Sequence, residues 1–210
     1  LTDQGFDVEE VHNPIDGVAL MESYYTMNAG ETAAFMGEMQ AGMGRQLTAD
    51  DMELLTWELY QTGLNTTAAE YSLSLGKWDQ AAWQMAQLHA KYPVILTPTT
   101  AWPAPKVGDT LVSAENAAKM ATITSLKPAA QKQLIYDQWL PALTRSPFTQ
   151  QANLTGEPAI SLPTAVTDEG LPLGIQFSAG KGQEAVLLTL GALFERAGKL
   201  KLLHQTFLDC

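Results

Sequence analysis

Ser146-Pro-Phe-Thr-Gln-Gln-Ala-Asn-Leu-Thr-Gly-Glu-Pro-Ala-Ile-Ser-Leu-Pro-Thr-Ala-Val-Thr-Asp-Glu-Gly-Leu-Pro-Leu-Gly-Ile-Gln-Phe-Ser178 is the stretch whose reading decides the fold. Apolar Ile160 and Leu162 alternate with Ser161 and Pro163, which is the period of a strand. Asp168-Glu169-Gly170 supplies turn chemistry, with Gly170 free to take a positive φ. Leu173, Ile175 and Phe177 then alternate with Gly174 and Gln176, so a second strand follows. The pattern predicts a β-hairpin at the heart of an α/β sheet. The segment before it, Phe148 to Pro158, reads as a long loop. It holds Asn153, Thr155 and Gly156, whose amide, hydroxyl and sharp backbone turn suit a polar ligand.

Outward from the hairpin, helical and strand signals alternate. Phe6, Val8 and Val11 suggest a short strand, broken by Asn13-Pro14. Asp16 caps a helix from about Val18 to Gln40, with a glycine-rich, loosely held segment near Ala41 to Arg45. Thr48-x-x-Asp51 and Thr67-x-x-Glu70 have capping-box form. Behind the first, Met52, Leu55 and Leu59 recur at helical spacing up to Gly63. Behind the second, Tyr71, Leu75, Trp78, Ala82 and Met85 form one stripe of a helix ending near Lys91. The continuous apolar run Val94-Ile95-Leu96 suits a strand covered on both faces. From Thr97 to Gly108, with prolines at 98, 103 and 105, the chain reads as an extended loop. Ser113 starts a short helix. Pro128 opens another, closed by Pro141, and Val186, Leu190, Leu193 and Ala197 mark a last helix ended by Gly198. The tail Lys199 to Cys210 carries no clear signal.

Residues 1–210 read as a single domain with a helical subregion at about 18–91. Hydrophobic residues make up 46% and charged residues 17%, a globular balance. The formal net charge of −11, with no Lys/Arg cluster, argues against nucleic acid as a partner. The lone Cys210 cannot form an internal disulfide. No long apolar run points to a membrane span and no leader is evident, so a cytoplasmic location is expected. The chain opens on Leu1, inside what reads as the last turn of a helix, and is therefore expected to be a piece of a longer protein.

Phe148-Thr149, Asn153-Leu-Thr-Gly156, Pro158-Ala-Ile-Ser161, Pro163, Gly170-Leu-Pro172 and Gly174-Ile-Gln176 together resemble the C-terminal part of the amidase signature family. Tyr92 to Pro105 looks like that family's strand ending in Leu-Thr-Pro-Thr. Asp50 to Lys91 resembles the branch that includes 6-aminohexanoate cyclic dimer hydrolases and related bacterial amidases. The resemblance implies an α/β fold with a mixed β-sheet core covered by helices. It implies hydrolysis of a carbon–nitrogen amide bond in a small-molecule substrate, with no cofactor and no metal. Family members use a Ser–Ser–Lys triad, and backbone N–H groups from a Gly-Ser-rich loop of the form Gly-Gly-Ser-Ser-Gly-Gly stabilise the oxyanion. No two serines are adjacent here, so no catalytic residue is carried over; the triad is expected upstream of Leu1, and the chain alone is expected to be inactive. The substrate-side residues implied are Thr97, Thr99, Trp102, Asn153, Thr155 and Gly156, at strand ends and in loops where open α/β sheets bind ligands. For Trp102 the plain alternative is core packing, and for Asn153 a loop-stabilising amide. Other readings are an amidotransferase A subunit acting on glutamyl-tRNA, or a non-catalytic binding or scaffold domain. Without the missing N-terminal half, self-association through open edges is expected.

Three further patterns read as ordinary structure. Ser74-Leu-Gly-Lys77 lacks the partner motifs of penicillin-recognising enzymes. Gly180-Lys-Gly182 reads as a helix cap. His12, His89 and His204 lack zinc-ligand spacing, and His89, on the helix stripe after Met85, reads as a partly buried hydrogen-bonded histidine.

Overall fold

The computed structural model describes residues 1, 2 and 5–202. Among these, seven α-helices and three strands follow one another: α1 (Gly17–Met43), α2 (Leu54–Gly63), α3 (Ala68–Lys91), β1 (Val94–Pro98), α4 (Ala114–Ala121), α5 (Pro128–Arg145), α6 (Thr149–Thr155), β2 (Ala159–Val166), β3 (Pro172–Ala179) and α7 (Glu184–Arg196). The predicted hairpin is β2–β3. Gly170 takes a φ of 84° in its turn, and Thr167 N–H donates to the Leu171 carbonyl at 2.8 Å. β3 is central in the order β1-β3-β2, and both ladders are antiparallel. The parallel ladders that a mixed sheet also contains are not formed among the described residues. Pro163 is tolerated because β2 lies at an edge, where a bulge follows between Pro163 and Ala165.

The sheet has two chemically distinct faces. On one, Ile160, Leu162, Ile175, Phe177 and Ala179 pack against Leu187, Leu190 and Phe194 of α7. The opposite face carries Thr97, Ser161, Gln176 and Ser178, because the register pairs Gln176 with both Thr97 and Ser161. Strand β1 is an outer strand. Leu96 is 42% exposed, so the apolar run at 94–96 is not covered on both faces here.

The helices form a second layer, in which α2 packs on α1, α4 and α5, and α1 also packs on α3. Asp16 caps α1, accepting from the N–H groups of Val18 and Ala19. Gly63 does more than end α2. A methyl group there would run into the Ala29 carbonyl oxygen and lie 2.7 Å from the Ala33 Cβ, so its bareness sets the approach of α1 to α2. The buried stripe of α3 is Ser74, Ala81 and Met85, with Leu75 exposed. It is rotated from the expected one because small residues bring α3 close to α1, where Trp78 Nε1 donates to Ser23 Oγ at 2.9 Å.

Several expectations are corrected. Phe6 to Val11 is not a strand, since no neighbour pairs with it. The first helix runs on to Met43, and the stretch after it is fastened by a two-pronged Arg45–Asp51 ion pair rather than loosely held. The Thr48–Asp51 box forms around a single 3-10 turn, and α2 starts afresh at Leu54. Pro141 does not close α5, which continues to Arg145; Pro141 and Asp137, whose carbonyl loses its partner, both face solvent. Phe148 to Pro158 is not a loop throughout: α6 occupies Thr149–Thr155, and Gly156 ends it at a φ of 74°. The opening helix turn falls partly on residues 3 and 4, and His204, Cys210 and most of the tail lie outside the described residues.

The helical layer encloses Glu58, which is 0% exposed and whose two oxygens have no hydrogen-bond partner among the described residues. Burial alone pushes its carboxyl up to about 8. The folded chain therefore holds this proton more tightly than the unfolded chain. Stability falls as pH rises from the ordinary carboxyl range through about 8, and levels off above it. Glu58→Gln is expected to stabilise the protein by about 2–4 kcal/mol at pH 8 and to have little effect at pH 4, read by denaturant melts at both pH values.

Candidate functional site

The polar face of the sheet and α6 bring together most of the residues singled out in the sequence. Thr97 lies on β1 beside Gln176; its Oγ1 is buried and has no hydrogen-bond partner among the described residues. Thr99 follows β1. Its N–H donates to the Gly174 carbonyl at 3.1 Å, and its Oγ1 lies 2.7 Å from Ser161 Oγ. Gly174 makes that contact possible, because a Cβ there would sit 2.8 Å from Ser161 Oγ and 3.0 Å from Thr99 Oγ1. Gln176 is buried and donates through Nε2 to the Phe148 carbonyl at 3.3 Å, which ties the start of α6 to the sheet. The face thus grades from buried Gln176 and Ser178 to exposed Ser161.

The remaining expected residues differ in what they can reach. Asn153 is exposed on α6. Trp102 is 62% exposed in the loop after β1, so it is not part of the core. Thr155 is 1% exposed, with Oγ1 at 2.9 Å from both the Gln151 carbonyl and Glu157 Oε2; its hydroxyl is occupied inside the fold. Gly156 is the left-handed end of α6, and a Cβ there would lie 3.3 Å from Lys181 Cε and Nζ. Phe148 serves through its carbonyl.

The sequence reading missed two groups. Ser161 and Gln176 were visible as the polar partners of a strand alternation, a pattern that equally marks a solvent face. The second group is a buried cluster where α3, α6 and the β3–α7 turn meet. There His89 Nε2 lies 3.0 Å from Glu157 Oε1, with both side chains buried. The oxygen sits off the ring N–H direction, so the contact is an ion pair by distance rather than a linear hydrogen bond. His89 Nδ1 lies 3.1 Å from the Tyr92 carbonyl. The expected buried, hydrogen-bonded His89 is what the fold contains. Burial pushes the Glu157 carboxyl up, against the pull of Thr155, His89 and Lys181.

Two surface hollows lie elsewhere. One, of about 360 Å³, sits between α1 and the start of α3 beside Glu31 and Tyr71. The other, of about 380 Å³, lies along α7 beside Phe6. Among the described residues no three His, Cys, Asp or Glu side chains gather as a metal site would need, and no helix is long and apolar enough to cross a membrane.

The sequence profile of the family described as Amidase matches residues 1–188. Lipoamidase of Enterococcus faecalis is 49% identical over 209 residues, a match that covers 97% of this chain and 28% of that protein. The 6-aminohexanoate-cyclic-dimer hydrolase of Pseudomonas sp. (strain NK87) is 27% identical over 165 residues, covering 74% of this chain and 29% of that protein. A solved structure of 6-aminohexanoate cyclic dimer hydrolase superposes with a TM-score of 0.71 at 24% identity, covering 93% of this chain and 38% of that one. The chain thus spans less than a third of the length of these two curated relatives.

Gly174→Ala tests the construction of the polar face. It is expected to break the Thr99–Ser161 contact and to cost about 1–3 kcal/mol in a denaturant melt, whereas Gly182→Ala, in the turn before α7, leaves that contact intact.

Proposed function

Because this chain belongs to the amidase family, we propose that it is the substrate-side part of an amide hydrolase. The whole protein cleaves a carbon–nitrogen amide bond through an acyl-serine intermediate. The observation that carries this reading is the likeness to lipoamidase along nearly the entire chain, which also favours a hydrolase over an amidotransferase subunit or a scaffold. An amide of lipoic acid is therefore the first substrate to try.

In this reading the nucleophilic serine, the bridging serine and the lysine lie outside these 210 residues, since the serines here are never adjacent. The serine attacks the amide carbonyl, the amine leaves with a proton, and water then releases the acid. This chain supplies a wall of the pocket. Thr99 offers a hydroxyl at a strand end, next to the enclosed Thr97, Asn153 offers an exposed amide, and Trp102 offers an apolar surface for the acyl chain.

The full-length protein is expected to hydrolyse a lipoyl amide and to be labelled by a serine-directed irreversible probe at a residue outside this chain. Residues 1–210 alone are expected to show no turnover. Labelling at a serine within this chain, or no hydrolysis over a broad amide panel, overturns the reading. Expressed alone, residues 1–210 are also expected to self-associate through the outer edges of β1 and β2. Light scattering checks this, and a strictly monomeric mass at high concentration counts against it.

A further inference from the structure

Helix α6 has seven residues, about two turns, and a helix that short does not persist without tertiary support. Its first turn is held by the Gln176–Phe148 hydrogen bond and its middle by Gln151, which lies 3.1 Å from Met85 Sδ and accepts from Asn13 Nδ2 at 2.7 Å. Its last turn, next to Asn153 and Gly156, is held by Glu157. That residue's backbone N–H donates to the Ala152 carbonyl at 3.1 Å, and its side chain meets His89.

The chemistry of that meeting is constrained. The Tyr92 carbonyl can only accept, so His89 carries a hydrogen on Nδ1. Nε2 lies 3.0 Å from Glu157 Oε1 with both side chains buried, a close packed contact off the ring N–H direction. The Glu157 carboxyl is compensated there by the ring, by the Thr155 hydroxyl and by Lys181. His89 stands at the end of α3, a 24-residue helix, so the pair joins a short element to a long one.

We propose that His89 and Glu157 are positioning residues that pin the end of α6, and with it Asn153 and Gly156, to α3. The effect on substrate rests on the reading of α6 as part of the pocket wall; the pinning itself does not. Both side chains are buried, and both act through the backbone of α6.

The test uses the full-length protein with Glu157→Ala and Glu157→Gln. Hydrogen exchange is followed on the segment 149–157. With Glu157→Ala, exchange there is expected to quicken about tenfold or more while α1 and α7 keep their rates. With Glu157→Gln, whose amide N–H can donate to Nε2, most of the protection is expected to return. In amide hydrolysis, Glu157→Ala is expected to raise KM about tenfold, with a smaller fall in kcat, and Glu157→Gln to recover KM. Unchanged exchange in Glu157→Ala overturns the pinning. Quickened exchange with an unaltered KM overturns the positioning role and leaves only a structural one. If the wild-type protein hydrolyses no amide, the functional reading fails by itself, and the exchange result still decides whether the pair pins α6.

Discussion

Strand β3 is paired on both sides, and that double pairing fixes where everything in the sheet layer points. Side chains on a strand alternate, so one register decides both faces at once. Phe177 beneath α7 places Gln176 on the other side, and the ladders then carry Thr97 and Ser161 to meet it. A slip of one residue would put Gln176 and Ser178 against Leu187 and Leu190, leaving buried polar groups among apolar ones. The apolar packing against α7 thus holds the polar face in place although it touches none of it.

What was legible in the sequence followed the range of the forces involved. The hairpin could be read because alternation and a glycine turn are local. The caps at Asp16 and Thr67 were legible for the same reason: donor and acceptor lie within one turn. Phe6 to Val11 has a comparable alternation, but a strand also needs an edge to pair with, which local pattern cannot supply. Thr149 to Thr155 was misread because it is only two turns long and its Thr and Asn residues are weak helix formers, which masks the helix-favouring Gln150, Gln151, Ala152 and Leu154. Its helix stands through contacts with residues far along the chain. The stripe of α3 was misplaced by one position because large apolar residues draw the eye, while close helix approach uses small ones such as Ser74 and Ala81. Of the candidate site, the threonines at the end of β1 were singled out through a family motif. The partial burial of His89 was legible from its place on the α3 stripe, but its partner Glu157, far along the chain, was not.

The two buried carboxyls show how differently a fold can accommodate the same group. Glu58 has no ion-pair or hydrogen-bond partner among the described residues, and burial raises its carboxyl because ionisation would strand a charge among helices. Glu157 is buried as well, but it faces an imidazole, a hydroxyl and, further off, an ammonium group. Losing or gaining a proton is thus a large event in the helical layer and a buffered one beside α6. The element that carries Asn153 is fastened by the group whose charge is better compensated.

The polar face is not uniformly open to solvent. At the α6 end, Gln176 is buried and its amide nitrogen is satisfied by Phe148. Toward the end of β1, the Thr99 hydroxyl meets that of Ser161, a contact that the bare Gly174 allows. On the other side of Gln176, Thr97 holds a hydroxyl that is enclosed and has no hydrogen-bond partner among the described residues, at a cost that folded proteins seldom leave standing. The register thus closes the β1 side of the row over Thr97 and leaves Ser161, on the edge strand β2, as the exposed member of the face.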